Sequence, residues 1–207
     1  MPRLQDHEDV AGYGKELMQR SAASPVDGAV CYSGYSPTAK TENRRLADAY
    51  VAAQPPGRAA VLDQTPLGHY LSSQKLYPWE DRNTPFSQGQ ADKIWRGASK
   101  RFAGEAFGNV TCFVDGARPE HTFRQVELPA LLGNAQVNRL NGIPTGQLRS
   151  AYAQDPERTF REIASAAPNL GRRRAEVVKP SEQRPVSRSS AAELPGRDRT
   201  PGRGLAR

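Results

Sequence analysis

SQGQADKIWRGASKRFAG, residues 87 to 104, and NVTCFVDG, residues 109 to 116, together fix the kind of fold this chain can adopt. In the first segment Ala91, Ile94, Trp95, Ala98, Ser99, Phe102 and Ala103 recur at i, i+3, i+4, i+7 spacing. That period gathers them on one face of a helix. Asp92, Lys93, Arg96, Lys100 and Arg101 fall mostly on the other face. Ser87 followed three residues later by Gln90 is a capping box, and Gly104 is a natural stop, so the spacing predicts a helix over about 88–104. In the second segment Val110-Thr111-Cys112-Phe113-Val114 alternates as a strand does, and Asp115-Gly116 supplies a turn.

The flanking sequence extends this pattern. Residues 29–32 read as a short strand entering the Ser33-Gly34 turn. Residues 41–53 read as a helix, with Leu46, Tyr50 and Val51 at helical spacing, stopped by Pro55-Pro56-Gly57. Val61-Leu62 fits either a strand or the start of a helix, residues 68–76 read as helical, and 77–85 as a loop. Residues 122–128 read as a second strand, 134–143 hold a third around Val137 and Leu140, and 158–167 read as a closing helix. Helix, strand, turn and strand in this order predict an α/β domain, with a small mixed or parallel sheet and packed helices.

The chain has 207 residues and 37% hydrophobic residues, enough for one domain with a core. Three regions emerge: a polar segment 1–28 with a short helix near 13–22, a domain 29–170, and a Pro/Ser/Gly-rich tail 171–207. Ten Lys/Arg and four Asp/Glu beyond residue 170 carry six of the seven net positive charges. The domain is therefore nearly neutral, and the tail reads as a disordered basic segment without aromatics. The near-neutral domain argues against a specific nucleic-acid partner. No apolar run approaches the ~20 residues of a membrane-spanning helix, and the N-terminus lacks the apolar core of a signal peptide. Cys31 and Cys112 are too few for a disulfide framework and read as small buried residues. His7, His69 and His121 have no metal-site spacing, and no glycine-rich phosphate loop is present.

Against this background a few side chains carry chemistry. Trp95 and Ser99, four apart on the helix, look the same way. Glu127 lies between Val126 and Leu128, where a carboxylate is costly unless exposed, paired or used. Singly, each has an ordinary reading: a core Trp, a small spacer Ser, a solvent-facing Glu.

Together they resemble the ADP-ribosyl cyclase/NAD glycohydrolase family, and in character the bacterial NAD-consuming toxin domains of that fold. Ile94-Trp95 through Ser99-Lys100-Arg101-Phe102-Ala103 is similar to the family segment with a binding Trp and an active-site Ser. Thr122-Phe123 followed by Val126-Glu127 is similar to the segment bearing the catalytic Glu. Leu62-Asp63-Gln64-Thr65-Pro66-Leu67-Gly68 is similar to the segment whose acidic residue tips the balance between cyclisation and hydrolysis. Tyr32-Ser33 matches a Trp-Ser dipeptide whose ring walls the nicotinamide pocket. The resemblance spans about residues 29–143. It implies Glu127, Ser99 and Asp63 as catalytic residues, and Trp95, Tyr32, Thr122 and Phe123 as substrate-binding ones. It implies cleavage of NAD to nicotinamide and ADP-ribose, with minor cyclic ADP-ribose. NAD is then the substrate, no cofactor is needed, and an immunity protein is the expected partner. The implied site of action is cytoplasmic, reached by an export route not visible in the chain. Three departures stand out: Asp rather than Glu at 63, Tyr rather than Trp at 32, and only two cysteines. The competing readings are a nucleic-acid-directed module or nuclease using the basic tail, and a non-catalytic interaction protein on the same fold.

Overall fold

Asn141 ties the two faces of this fold together at a single point. Its backbone turns in the left-handed region (φ +48°). Its amide nitrogen donates to the carbonyls of Cys112 and Ile163, at 2.8 Å each, while its oxygen accepts from the Cys112 N–H at 2.7 Å. Asn tolerates this conformation because its short polar side chain can bond locally.

The computed structural model describes residues 19–76 and 86–169. Four strands form the main sheet in the order β1 (Ala29–Tyr32), β4 (Gly108–Phe113), β5 (Val137–Leu140), β6 (Ile143–Pro144). The first three are parallel and the last antiparallel, so the sheet is mixed. A two-residue ribbon, β2 (Tyr35–Ser36) and β3 (Thr41–Glu42), follows β1. The helices are α1 (Asn43–Ala52), α2 (Pro66–Ser73), α3 (Gln88–Gly104), α4 (Leu128–Gly133), α5 (Thr145–Gln154) and α6 (Pro156–Ser165). The α/β class and mixed sheet are as expected.

Side chains of β1 alternate between two apolar layers, as a pleated strand requires. Ala29 and Cys31 join the larger core with Ile94, Phe102 and Phe123, while Val30 packs with Ala47, Val61 and Phe113. Cys31 and Cys112 are register partners on β1 and β4, both buried and both free. The Cys31 thiol is pushed well up by its hydrogen bond with Cys112, by burial and by the nearby Glu127 charge.

The capping box at Ser87 and Gln90 starts α3 as predicted, and its inner face buries Ala91, Ile94, Ala98, Ser99, Phe102 and Ala103. The structure departs from expectation at four places. Residues 122–128 are not a strand: Phe123–Glu127 is a π-helical turn that runs directly into α4. The Leu128 N–H donates to the Phe123 carbonyl, five residues back. Pro129 is the physical reason, because it has no N–H to give the carbonyl four residues earlier and its ring crowds that carbonyl. Residues 61–64 resolve as a 3₁₀ turn over Leu62–Gln64, and α5 was not anticipated. Residues 19–22, the end of the helix expected near 13–22, are turn and coil. The rest of that helix, the loop 77–85 and the tail 171–207 lie outside the described residues.

The 3₁₀ turn is locked from both sides. The Thr65 hydroxyl donates to the Leu62 carbonyl (2.7 Å) and accepts from the Gly68 N–H (3.1 Å), capping α2. A Cβ on Gly68 would lie 2.0 Å from the Leu62 oxygen and 2.7 Å from the Asp63 Cα. Gly68→Ala should therefore cost about 2 kcal/mol or more, because backbone and not a flexible side chain must move. Denaturant melts measure this, and a loss under about 0.5 kcal/mol would show that the turn yields freely.

Candidate active site

A cavity of about 460 Å³ opens at the C-terminal end of β1, where open α/β sheets leave room for ligands. Its size suits a small-molecule site. Tyr32, Asp63, Trp95, Ser99, Thr122 and Glu127 all line it. Six of the seven residues singled out in the sequence are thus brought together from β1, the 3₁₀ turn, α3 and the π turn. Phe123 is the exception. It is fully buried, 6.4 Å from the Phe160 ring, and anchors the π turn in the core instead of facing the cavity. A hollow of about 650 Å³ between α5 and α6 has no aromatic wall and no buried carboxylate, so its size does not make it the better candidate.

Glu127 dominates the electrostatics. It is 7% exposed, and its Oε2 has no hydrogen-bond partner in the protein. Burial pushes its pKa up, the Ser99 hydroxyl pulls it back by hydrogen bonding, and the charge of Asp63 pushes it up again, to about 7. A buried carboxylate with a raised pKa, beside a hydroxyl in a cavity, makes Glu127 the leading candidate for a functional residue.

The surrounding side chains are held in place. The Tyr32 hydroxyl donates to Asp63 Oδ2 at 2.5 Å, joining the aromatic wall to the second carboxylate. Trp95 donates its indole N–H to the Leu76 carbonyl at 2.9 Å, which fixes the ring orientation. Gly34 turns β1 towards β2 at φ +75°, and a side chain there would meet the His121 ring at 3.0 Å. His121 lines an adjoining hollow of about 640 Å³ together with Arg44, Arg96 and Trp95.

Two arginines near the π turn are engaged away from the cavity. Arg124 pairs with Glu157 and lies 4.4 Å over the Phe160 ring, and exposed Arg118 pairs with Glu120 at 3.2 Å. Residues that the sequence reading missed are Tyr35, Glu42 and Arg44, which also line the cavity. Among the described residues no group of three or more His, Cys, Asp or Glu could hold a metal ion, and no helix is long and apolar enough to cross a membrane.

The fold is similar to that of ADP-ribosyl cyclases. An ADP-ribosyl cyclase complexed with N1-cIDPR matches with 19% identity and TM-score 0.43, over 63% of this chain and 54% of that one. This chain thus spans about half the length of that cyclase. Aplysia cyclase complexed with substrate NGD and product cGDPR matches at 20% identity and TM-score 0.45, over 78% and 76% of the two chains. Porcine CD38 complexed with a covalent intermediate matches at 19% identity and TM-score 0.45, over 75% and 73%. No family model matches the chain, and no curated protein matches it significantly.

The raised pKa of Glu127 has a consequence for stability. A carboxyl that titrates near 7 when folded and near its ordinary 4.5 when unfolded favours folding while protonated. Its contribution is fully present below pH 4.5 and is lost as pH rises through 7, for a total of about 3 kcal/mol. Glu127→Gln removes the buried charge at nearly constant shape. The variant should therefore be more stable than the parent at pH 8, and the advantage should vanish near pH 4.5. Urea melts at the two pH values decide, and an advantage independent of pH would show that Glu127 is not desolvated as described.

Proposed function

We propose that the protein is an NAD glycohydrolase, cleaving the nicotinamide–ribose bond of NAD. The observation that carries this reading is the unpartnered Oε2 of Glu127, buried in one cavity with Trp95, Ser99 and the Tyr32–Asp63 pair. NAD presents a pyridinium ring, a cationic leaving group that needs no strong general acid. The Trp95 and Tyr32 rings desolvate and stack that ring, a favourable contact for a cation. As the glycosidic bond breaks, positive charge moves to the ribose, and the Glu127 carboxylate meets it in a dry, low-dielectric site. Ser99, beside Glu127, orients the ribose. Water then adds to the anomeric carbon and loses a proton, so NAD and water give nicotinamide, ADP-ribose and a proton.

The product balance follows from Asp63. Its Oδ2 is engaged by Tyr32, and the residue is anchored in a capped 3₁₀ turn. It is poorly placed to reach out and hold an adenine for intramolecular attack, which needs a near-attack geometry. ADP-ribose is therefore the main product and cyclic ADP-ribose the minor one. Chromatography of the products tests this, and a predominantly cyclic product would overturn the argument from Asp63 alone.

A role follows as part of the same reading. An enzyme that drains NAD harms the cell that contains it, so we assign a toxin or effector role in a target cytoplasm, opposed by an immunity protein. Expression of the parent should lower cellular NAD and growth, and Glu127→Gln should do neither.

Glu127→Gln should lower kcat/KM for NAD on the order of 10²–10³-fold while the fold persists. Retention of most turnover would remove Glu127 from the mechanism. Because the ionised form is the active one, kcat/KM should rise with pH through an apparent pKa near 7. The neighbours should move that limb in opposite directions. Asp63→Asn removes a negative charge and shifts it to lower pH, while Ser99→Ala removes a hydrogen bond and shifts it to higher pH. Parallel shifts in both variants would show that the limb does not belong to Glu127.

A further inference from the structure

Charge is unevenly distributed over the cavity. Its carboxylates are Glu42, Asp63 and Glu127, and among the described residues lining it Arg44 is the one Lys or Arg. The adjoining hollow shares Tyr32, Asp63 and Trp95 with the cavity, and there Arg44 is joined by Arg96 and His121. Arg96 bonds to neutral acceptors, Gln125 Oε1 at 2.6 Å and the Glu120 carbonyl at 3.4 Å, and so brings its charge there. Exposed Asp92 and Glu120 also line the hollow, the latter paired with Arg118.

Arg44 is placed by a buried neighbour. Asn43 is 1% exposed, and its side chain donates to the carbonyls of Ser33 (2.7 Å) and Asp115 (2.8 Å). Its backbone N–H donates to the Gly34 carbonyl at 3.0 Å. These three bonds fix the start of α1 to the turn after β1, so the next residue stands over the cavity mouth. The first turn of α1 contains Arg44 and Arg45 and no acidic residue, and its Glu42 cap makes no side-chain bond. Cations at the positive end of a helix dipole are unfavourable by themselves, and they raise the local positive potential. Tyr35, 53% exposed on β2, lines the same cavity. The unpartnered Glu127 Oε2 is a second, independent polar group on this cavity that a ligand could use.

We infer that Arg44 and Tyr35 form a second subsite at the cavity mouth that holds the nucleotide half of a dinucleotide, Arg44 on the diphosphate and Tyr35 against the base. A flexible diphosphate suits a guanidinium, whose donors match phosphate oxygens bidentately. An exposed ring at the rim suits a nucleobase, since stacking needs only a π-face. This rests on the reading that a cationic nicotinamide ribosyl group occupies the inner end at Glu127. The cationic ring then lies by Glu127 and the phosphates by Arg44, with Glu42, the register partner of Tyr35, as the carboxylate beside the subsite. The subsite makes the protein selective for dinucleotides over nicotinamide riboside, which offers the same scissile bond without phosphate.

The test uses the full chain, with NAD and nicotinamide riboside as substrates and calorimetric titration of ADP-ribose. Arg44→Ala should raise KM for NAD about tenfold or more with kcat nearly kept, and weaken ADP-ribose binding to the same degree. It should change the riboside reaction much less, so that the preference for NAD over the riboside collapses. Arg44→Lys should recover part of the loss, and Tyr35→Phe should keep the affinity that Tyr35→Ala loses. Arg45→Ala removes the same charge from the same turn outside the cavity and should have little effect. Equal losses on both substrates, an unchanged KM, or an Arg45→Ala effect as large as that of Arg44→Ala would overturn the subsite. If the parent turns over neither substrate, that result counts against the hydrolase reading, and the titration still decides the subsite. ADP-ribose binding weakened by Arg44→Ala and spared by Arg45→Ala sustains it, and absent or unaltered binding removes it.

Discussion

The Glu127 carboxylate is kept dry, and much of the architecture around it contributes to that. A helical turn of ordinary pitch placed before α4 would give the inner face to every third or fourth residue. The π turn adds one residue, so that Phe123, Glu127 and Leu128 all point inward, followed by Leu131 and Leu132. Phe123 and Leu128 fill the core on either side, and between them the carboxylate lies against α3 and β1. A side chain that water would otherwise solvate is fixed at the end of a cavity by its apolar neighbours. The cost, about 3 kcal/mol near pH 8, is a large fraction of the 5–15 kcal/mol that holds a domain together. The proposed role of Glu127 in the reaction would account for the persistence of such a cost.

How far the sequence could be read depended on whether one local period governed a segment. The helix over 88–104 was legible because propensity, capping and apolar spacing agree there, and the pairing of Trp95 with Ser99 followed from its geometry. The strands around Cys31, Cys112 and Leu140 were legible for the same reason. The segment around Glu127 was not, because a π turn has neither the two-residue period of a strand nor the 3.6-residue period of a helix. Pro129 was the available sign, since a proline one residue into an apolar run argues against a central strand. Asp63 was located without its conformation being known, because Val61-Leu62 is too short an apolar run for periodicity to arbitrate. The Arg44 corner escaped altogether. It depends on Asn43 reaching the carbonyls of Ser33 and Asp115, contacts across 10 and 72 residues that no local pattern encodes.

The two departures at positions 32 and 63 also have a joint physical meaning. A Trp in place of Tyr32 could not offer an O–H to a carboxylate, and the shorter Asp63 suits the reach of the Tyr32 hydroxyl as it stands, at 2.5 Å. The pair converts one aromatic wall and one acidic side chain into a single braced unit. It keeps the second carboxylate at a fixed place from which its charge acts on Glu127. Changes that look like losses when taken singly, less stacking area and one methylene less reach, together supply rigidity.

On the proposed reading, rigidity matters because it keeps the Asp63 charge in place while the substrate binds beside Glu127. Burial and the charge of half-buried Asp63 leave Glu127 half protonated near pH 7. On the proposed reading, a cationic ring entering against Trp95 and Tyr32 would reverse that balance, since an opposite charge at close range favours the ionised carboxylate. The incoming cation itself would thus draw the ionised form of Glu127 from a site that is partly neutral without it. A neutral ring of the same shape would stack equally well and leave Glu127 protonated. Discrimination between the two then comes from the protonation equilibrium of one buried carboxyl and not from the shape of the cavity alone.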